Sequence, residues 1–136
     1  MKLYANEVDS AAVRSFDRLA VAELARVEVA AAIWRKHRLR EISAPTAALL
    51  VSDFEADYLG LDGQHARFIV ISLKPDILDR AARLVAVHGL RAYDAVQFGT
   101  ACVVSEAVPD LTFLSFDKAL NAAAAAEGIA LADLPP

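Results

Sequence analysis

Cysteine is almost absent: Cys102 stands alone in 136 residues, which excludes an internal disulfide and any dithiol redox pair. Glycine and proline are sparse, five of each, and no low-complexity linker or composition break divides the chain. The glycines form no GxGxxG, P-loop or GxSxG pattern, so the phosphate cradles and nucleophile elbow those motifs build are not expected. No uninterrupted apolar run approaches the ~20 residues a membrane-spanning helix needs. The start lacks an apolar signal core, since Asn6, Glu7 and Asp9 interrupt it, and a cytoplasmic protein without membrane contact is expected. Positive charge is also in deficit: 14 Lys plus Arg against 18 Asp plus Glu give −4. A nucleic-acid binder usually shows a basic face, so net charge counts slightly against RNA. His37, His65 and His88 have no metal-ligand spacing among them and are expected at the surface.

What is present is an apolar share of 57%, much of it alanine, in a chain long enough to bury a core. One domain over 1–136 is expected. Cys102 in Ala101-Cys102-Val103-Val104 reads as a small buried hydrophobe. The densest basic run is Arg35, Lys36, His37, Arg38 and Arg40; it reads first as a solvated helix end and second as a guide for RNA phosphates. Trp34 before it is expected in a core or interface.

Ser10 is a candidate N-cap for a short helix through Phe16 and Leu19. Leu19-Ala20-Val21-Ala22 fits a brief buried strand. Good helix formers and a basic last turn predict a helix over 23–39. Ala44-Pro45 opens another, its apolar face spaced by Leu49, Leu50, Phe54 and Tyr58, with Gly60 or Gly63 ending it. Phe68-Ile69-Val70-Ile71 is the clearest strand. Pro75 starts a helix closed by His88-Gly89, and a further helix is predicted over 92–104. A strand over 111–116, a helix from Asp117 through the alanine tract to Gly128, and a last strand over 129–131 complete the pattern. Strands separated by helices predict an α/β fold, a parallel sheet with helices on both faces.

Three acids are candidates for chemistry. On a helix, Glu28 neighbours Leu24, Ala25, Ala31 and Ala32, so it is a lone acid on an apolar face. Burial there is costly unless a cation or donor meets it; an exposed acid at the edge of the face is the plainer reading. Asp94 opens a helix, where the dipole alone accounts for it. Asp117 sits between a strand and a helix, the ordinary place for an N-cap, yet ligands in α/β sheets also gather at strand carboxyl ends. Together the three match the hard oxygen donors Mg²⁺ prefers, the protein half of metal-assisted phosphodiester cleavage.

The sequence also resembles a known family, the PIN-domain ribonucleases of the VapC toxin type. Lys2-Leu3-Tyr4-Ala5-Asn6-Glu7 resembles the segment just after the family's first strand. Glu23-Leu24-Ala25-Arg26-Val27-Glu28-Val29 resembles its second block, with Glu28 at the acidic position. Leu90-Arg91-Ala92-Tyr93-Asp94-Ala95-Val96-Gln97-Phe98-Gly99-Thr100-Ala101 is the most specific match, with Asp94 as its acid. Phe113-Leu114-Ser115-Phe116-Asp117-Lys118-Ala119-Leu120 resembles the last block, with Asp117 as its acid. The resemblance implies a PIN-like three-layer fold and a Mg²⁺- or Mn²⁺-dependent endoribonuclease held by Glu28, Asp94 and Asp117. It further implies a toxin inhibited by a small antitoxin, commonly as a homodimer.

One departure stands against this pattern. The family begins with a short apolar strand carrying an aspartate, and Asp9 falls too late to match it. The expectation is a domain N-terminally truncated relative to the family. A late-assigned start, a relative that has lost catalysis but kept partner binding, and a strand supplied by a neighbouring chain would each produce it. A catalytically inactive PIN-like module binding an antitoxin-like partner or RNA is therefore the alternative. A receiver-like signalling domain is a third reading, opposed by the poor placement of Lys74 after 68–71.

Overall fold

The computed structural model describes residues 19–60, 66 and 68–133. The 2–7 block and the helix expected from Ser10 lie outside these, except for Leu19, which opens a strand. Among the described residues the order is β1 (Leu19–Ala22), α1 (Ala25–Arg38), α2 (Ala44–Leu59), β2 (Phe68–Ile71), α3 (Pro75–His88), α4 (Ala92–Ala107) and α5 (Lys118–Ala126). The structure is mixed α/β, with β1 and β2 paired as a two-stranded parallel sheet. Two compact units divide the chain, residues 1–70 and 71–136.

In the first unit, aromatic side chains from α2 and β2 organise the core. The Phe54 ring lies 5.6 Å from Phe68 and 5.7 Å from Tyr58, centroid to centroid. Ala25 is buried with them, and Leu19, Val21 and Val29 pack around the cluster. The Tyr58 hydroxyl donates to the Glu23 carbonyl at 3.3 Å, tying the end of α2 to the turn that starts α1. α1 packs on α2, and Ile33 and Ala47 are fully buried. The Ser43 hydroxyl accepts from the Thr46 amide at 3.2 Å, capping α2 ahead of Pro45.

Among the described residues four of the five helices end at a left-handed residue, and α4 ends instead on Val108 at φ −125°. α2 and α3 end on Gly60 (φ 69°) and Gly89 (φ 64°), both left-handed, the conformation glycine adopts without a side-chain penalty. α1 ends in the same geometry on Arg40, at φ 60°. A side-chain-bearing residue costs about 1 kcal/mol more than glycine there.

The second unit is built on α3 and α4, which pack along each other. α3 buries Ile77, Ala81 and Leu84, one face of an amphipathic helix. α4 buries Ala95, Phe98, Gly99 and Cys102, again at i, i+3, i+4 and i+7. Small residues set the spacing: a Cβ on Gly99 would lie 3.2 Å from the Ala81 nitrogen and 3.3 Å from its Cα. α5 adds Leu120, Ala123 and Ala124 to this core. Its end is closed by Gly128 and Ile129 amides donating to the Ala125 and Ala124 carbonyls at 3.2 and 2.9 Å, a Schellman arrangement.

The expected strand over 111–116 is not formed as a ladder. Phe113 makes a single parallel bridge with Leu131: its amide donates to the Ala130 carbonyl at 2.8 Å, and its carbonyl accepts from Ala132 at 3.0 Å. Among the described residues no longer partner runs beside it, so the apolar segment is held by side-chain packing, with Phe113 against Phe98 at 5.2 Å. The strand expected over 129–131 reduces to the same bridge. α4 runs to Ala107, past the expected end at 104, because no glycine or proline stands between Val104 and Ala107; Pro109 follows.

Gly99→Val is expected to lower stability by roughly 1–3 kcal/mol, the range for overpacking a core, as read by urea denaturation. An unchanged midpoint would contradict the close approach of α3 and α4.

Candidate functional site

Glu28 lies in the first turn of α1, its amide donating to the Leu24 carbonyl at 3.1 Å. It is half-buried. Of its apolar neighbours Ala25 is buried, Leu24 and Ala32 are half-buried and Ala31 is exposed, so the acid sits where the packed face opens. Among the described residues its carboxylate meets no cation or hydrogen-bond donor. Asp94 is likewise half-buried, in the first turn of α4, and its carboxylate also lacks a partner among the described residues. Beside it, the Gln97 amide donates to the Tyr93 hydroxyl at 3.2 Å.

Asp117 is exposed and serves as the N-cap of α5, one carboxylate oxygen accepting from the Leu120 amide at 3.0 Å. The Ser115 hydroxyl accepts from the Asp117 amide at 3.0 Å, and the Ser115 carbonyl accepts from the Asn121 side chain at 3.1 Å. The turn is thereby fixed on both sides, and the second Asp117 oxygen takes no part in the cap. Glu28 belongs to the unit 1–70, Asp94 and Asp117 to the unit 71–136. Among the described residues no three His, Cys, Asp or Glu side chains gather as a metal-holding group.

The histidines correct the surface expectation. His37 is half-buried, its Nδ1 3.1 Å from the Ile42 carbonyl oxygen and its ring edge-on to half-buried Trp34. His88, also half-buried, places Nε2 3.4 Å from a Glu127 oxygen, while the other Glu127 oxygen accepts from the Arg83 guanidinium. His65 lies outside the described residues. The Arg83–Glu127–His88 cluster was invisible to periodicity because Glu127 lies 44 residues from Arg83; opposite charges on two helical segments were its only signal. A second cross-helix pair, Arg80 with Glu106 at 2.6 Å, joins α3 to α4, and the Glu106 hydrogen bond raises the Arg80 pKa further above its ordinary value. Burial pushes the Cys102 thiol up, away from the thiolate, consistent with an inert packing residue.

The Arg83 hydrogen bond holds the Glu127 carboxyl below its ordinary value, with His88 adding to the effect and desolvation opposing it. A carboxylate depressed in the folded state stabilises the fold above its unfolded pKa, and that contribution is lost as pH falls through the folded value. Stability is therefore expected to decline on acidification below the ordinary carboxylate range, and Glu127→Gln should flatten that decline in thermal unfolding measured across pH. An unaltered pH profile in the variant would remove Glu127 as its source. Comparison of the chain with models of known protein families and with curated proteins finds no match.

Proposed function

We propose that this chain is a metal-dependent endoribonuclease of the VapC toxin type, with a PIN-like three-layer fold, acting in the cytoplasm and paired as a homodimer with a small antitoxin. The observation that carries the reading is the resemblance, in order and spacing, of the blocks around Glu28, Asp94 and Asp117 to those of the family. The mixed α/β structure is compatible with it.

The donor chemistry fits a hard divalent cation. Glu28 and Asp94 are half-buried acids without a cation or donor partner among the described residues, so their oxygens are available to a hard cation. Asp117 uses one oxygen on the Leu120 amide and keeps its second for another partner. Glu28, Asp94 and Asp117 would together hold Mg²⁺ or Mn²⁺. When bound, the ion supplies an activated water and neutralises charge on the attacked phosphate. The Ser115 and Leu120 contacts hold Asp117 in one orientation, so its carboxylate needs little reorganisation to receive a ligand.

A second reading, a catalytically inactive PIN-like module that binds an antitoxin-like partner or RNA, is favoured by one observation. Among the described residues no three acidic, histidine or cysteine side chains form a metal-holding group. Cleavage of RNA separates the two. With Mn²⁺ the wild type should cut single-stranded RNA, and Asp94→Asn should lower the rate at least about a hundredfold, the upper end of what even outer-shell partners cost. No cleavage by the wild type supports the inactive module.

Asp117 permits a sharper test, since asparagine caps helices as well as aspartate does. Asp117→Asn should keep the thermal midpoint and lose cleavage, whereas Asp117→Ala should lose cleavage and about 1 kcal/mol of stability. Full activity in Asp117→Asn would make the residue a cap and nothing more.

A further inference from the structure

The last turn of α1 carries Arg35, Lys36, His37 and Arg38, and Arg40 follows it. Two of these groups are engaged. Lys36 Nζ lies 3.4 Å from Glu41 Oε2, and His37 is held against the Ile42 carbonyl oxygen. Arg35, Arg38 and Arg40 are exposed and meet no acceptor among the described residues. Glu41, the acid of this segment, is taken by Lys36 rather than by any of the three.

The backbone adds an independent observation. The Arg40 amide donates to the His37 carbonyl and the Glu41 amide to the Lys36 carbonyl, each at 2.9 Å, so α1 closes in a Schellman motif with Arg40 at its left-handed position. Glycine is the usual residue there, and α2 and α3 use it at Gly60 and Gly89. Arg40 is the positive-φ residue other than glycine among those described. Favourable interaction with the helix dipole does not account for it, since Arg35, Lys36 and Arg38 already supply cations to that end. Strain kept at a position where glycine would relieve it points to a use for the side chain.

We propose that Arg35, Arg38 and Arg40 form a phosphate-binding surface for RNA. The choice of RNA over another polyanion rests on the nuclease reading; the surface itself rests on the arginines. Guanidinium groups are planar, permanently charged and weakly hydrated, and they bind phosphate oxygens in pairs. On a chain of net charge −4, a polyanion makes its contacts where acids are absent or already paired, and the end of α1 is such a place.

The test uses a short fluorescent single-stranded RNA and anisotropy in EDTA, which withholds the divalent cation that cleavage would need. Replacing Arg35, Arg38 and Arg40 together by Ala should weaken binding at least about tenfold. The slope of log affinity against log salt should flatten by about 2, at roughly 0.7 for each lost single-strand phosphate contact. Arg40→Gly alone should weaken binding while raising the thermal midpoint, a trade that a merely structural Arg40 would not show. Wild-type affinity and slope in the triple variant, no RNA binding by the wild type, or a lower thermal midpoint in Arg40→Gly each overturn the proposal. Arginine-dependent binding of a polyglutamate peptide in place of RNA overturns it in favour of an acidic protein partner. Arginine-dependent RNA binding in a wild type that cleaves no RNA with Mn²⁺ would uphold the surface and sink the nuclease reading alone.

Discussion

The second unit depends on the contact between Ala81 on α3 and Gly99 on α4, where a single added Cβ would stand 3.2 Å from backbone nitrogen. Residues this small let two helices pack at backbone distance, and interiors at native density leave no slack for more. The position of α4 follows from this contact, and Asp94 sits in its first turn. Phe98, fully buried one residue before Gly99, carries the packing onward to Phe113 and so to the segment that leads into the Asp117 cap. A site on α4 is thus held by the core rather than by a loop, which favours fixed side-chain placement.

Charge is arranged around this core in a way that separates structural from available groups. Arg80, Arg83, Lys36 and Arg26 each face a glutamate. Most of these pairs are exposed enough that each stabilises only modestly; Glu127 is the most enclosed, with arginine on one oxygen and histidine on the other. Among the groups outside these pairs are two half-buried acids, Glu28 and Asp94, and the three exposed arginines at the end of α1.

Local signals made much of the described structure legible. The β-branched run at Phe68–Ile71, the Pro75 start and Gly89 stop of α3, and Ser43-Ala44-Pro45 opening α2 each carry their physical cause within a few residues. The 111–116 run misled because β propensity describes a surface that fits a sheet, and pairing requires a neighbour of matching length; Phe113 alone finds one. His88 was misread for a similar reason, since its partner Glu127 is remote in sequence. For the candidate site, the capping role of Asp117 was legible from its place before a helix. The lack of partners at Glu28 and the left-handed backbone of Arg40 were not, because neither is a property of neighbours in sequence.

We propose that Glu28, Asp94 and Asp117 are ligands to a divalent cation. Calorimetric titration of Mn²⁺ into the wild type and into a variant carrying Glu28→Gln, Asp94→Asn and Asp117→Asn tests it most directly, since these changes remove charge while preserving shape and the α5 cap. A saturable binding heat in the wild type that disappears in the variant is the predicted result. Equal binding in both proteins, or none in either, would contradict it.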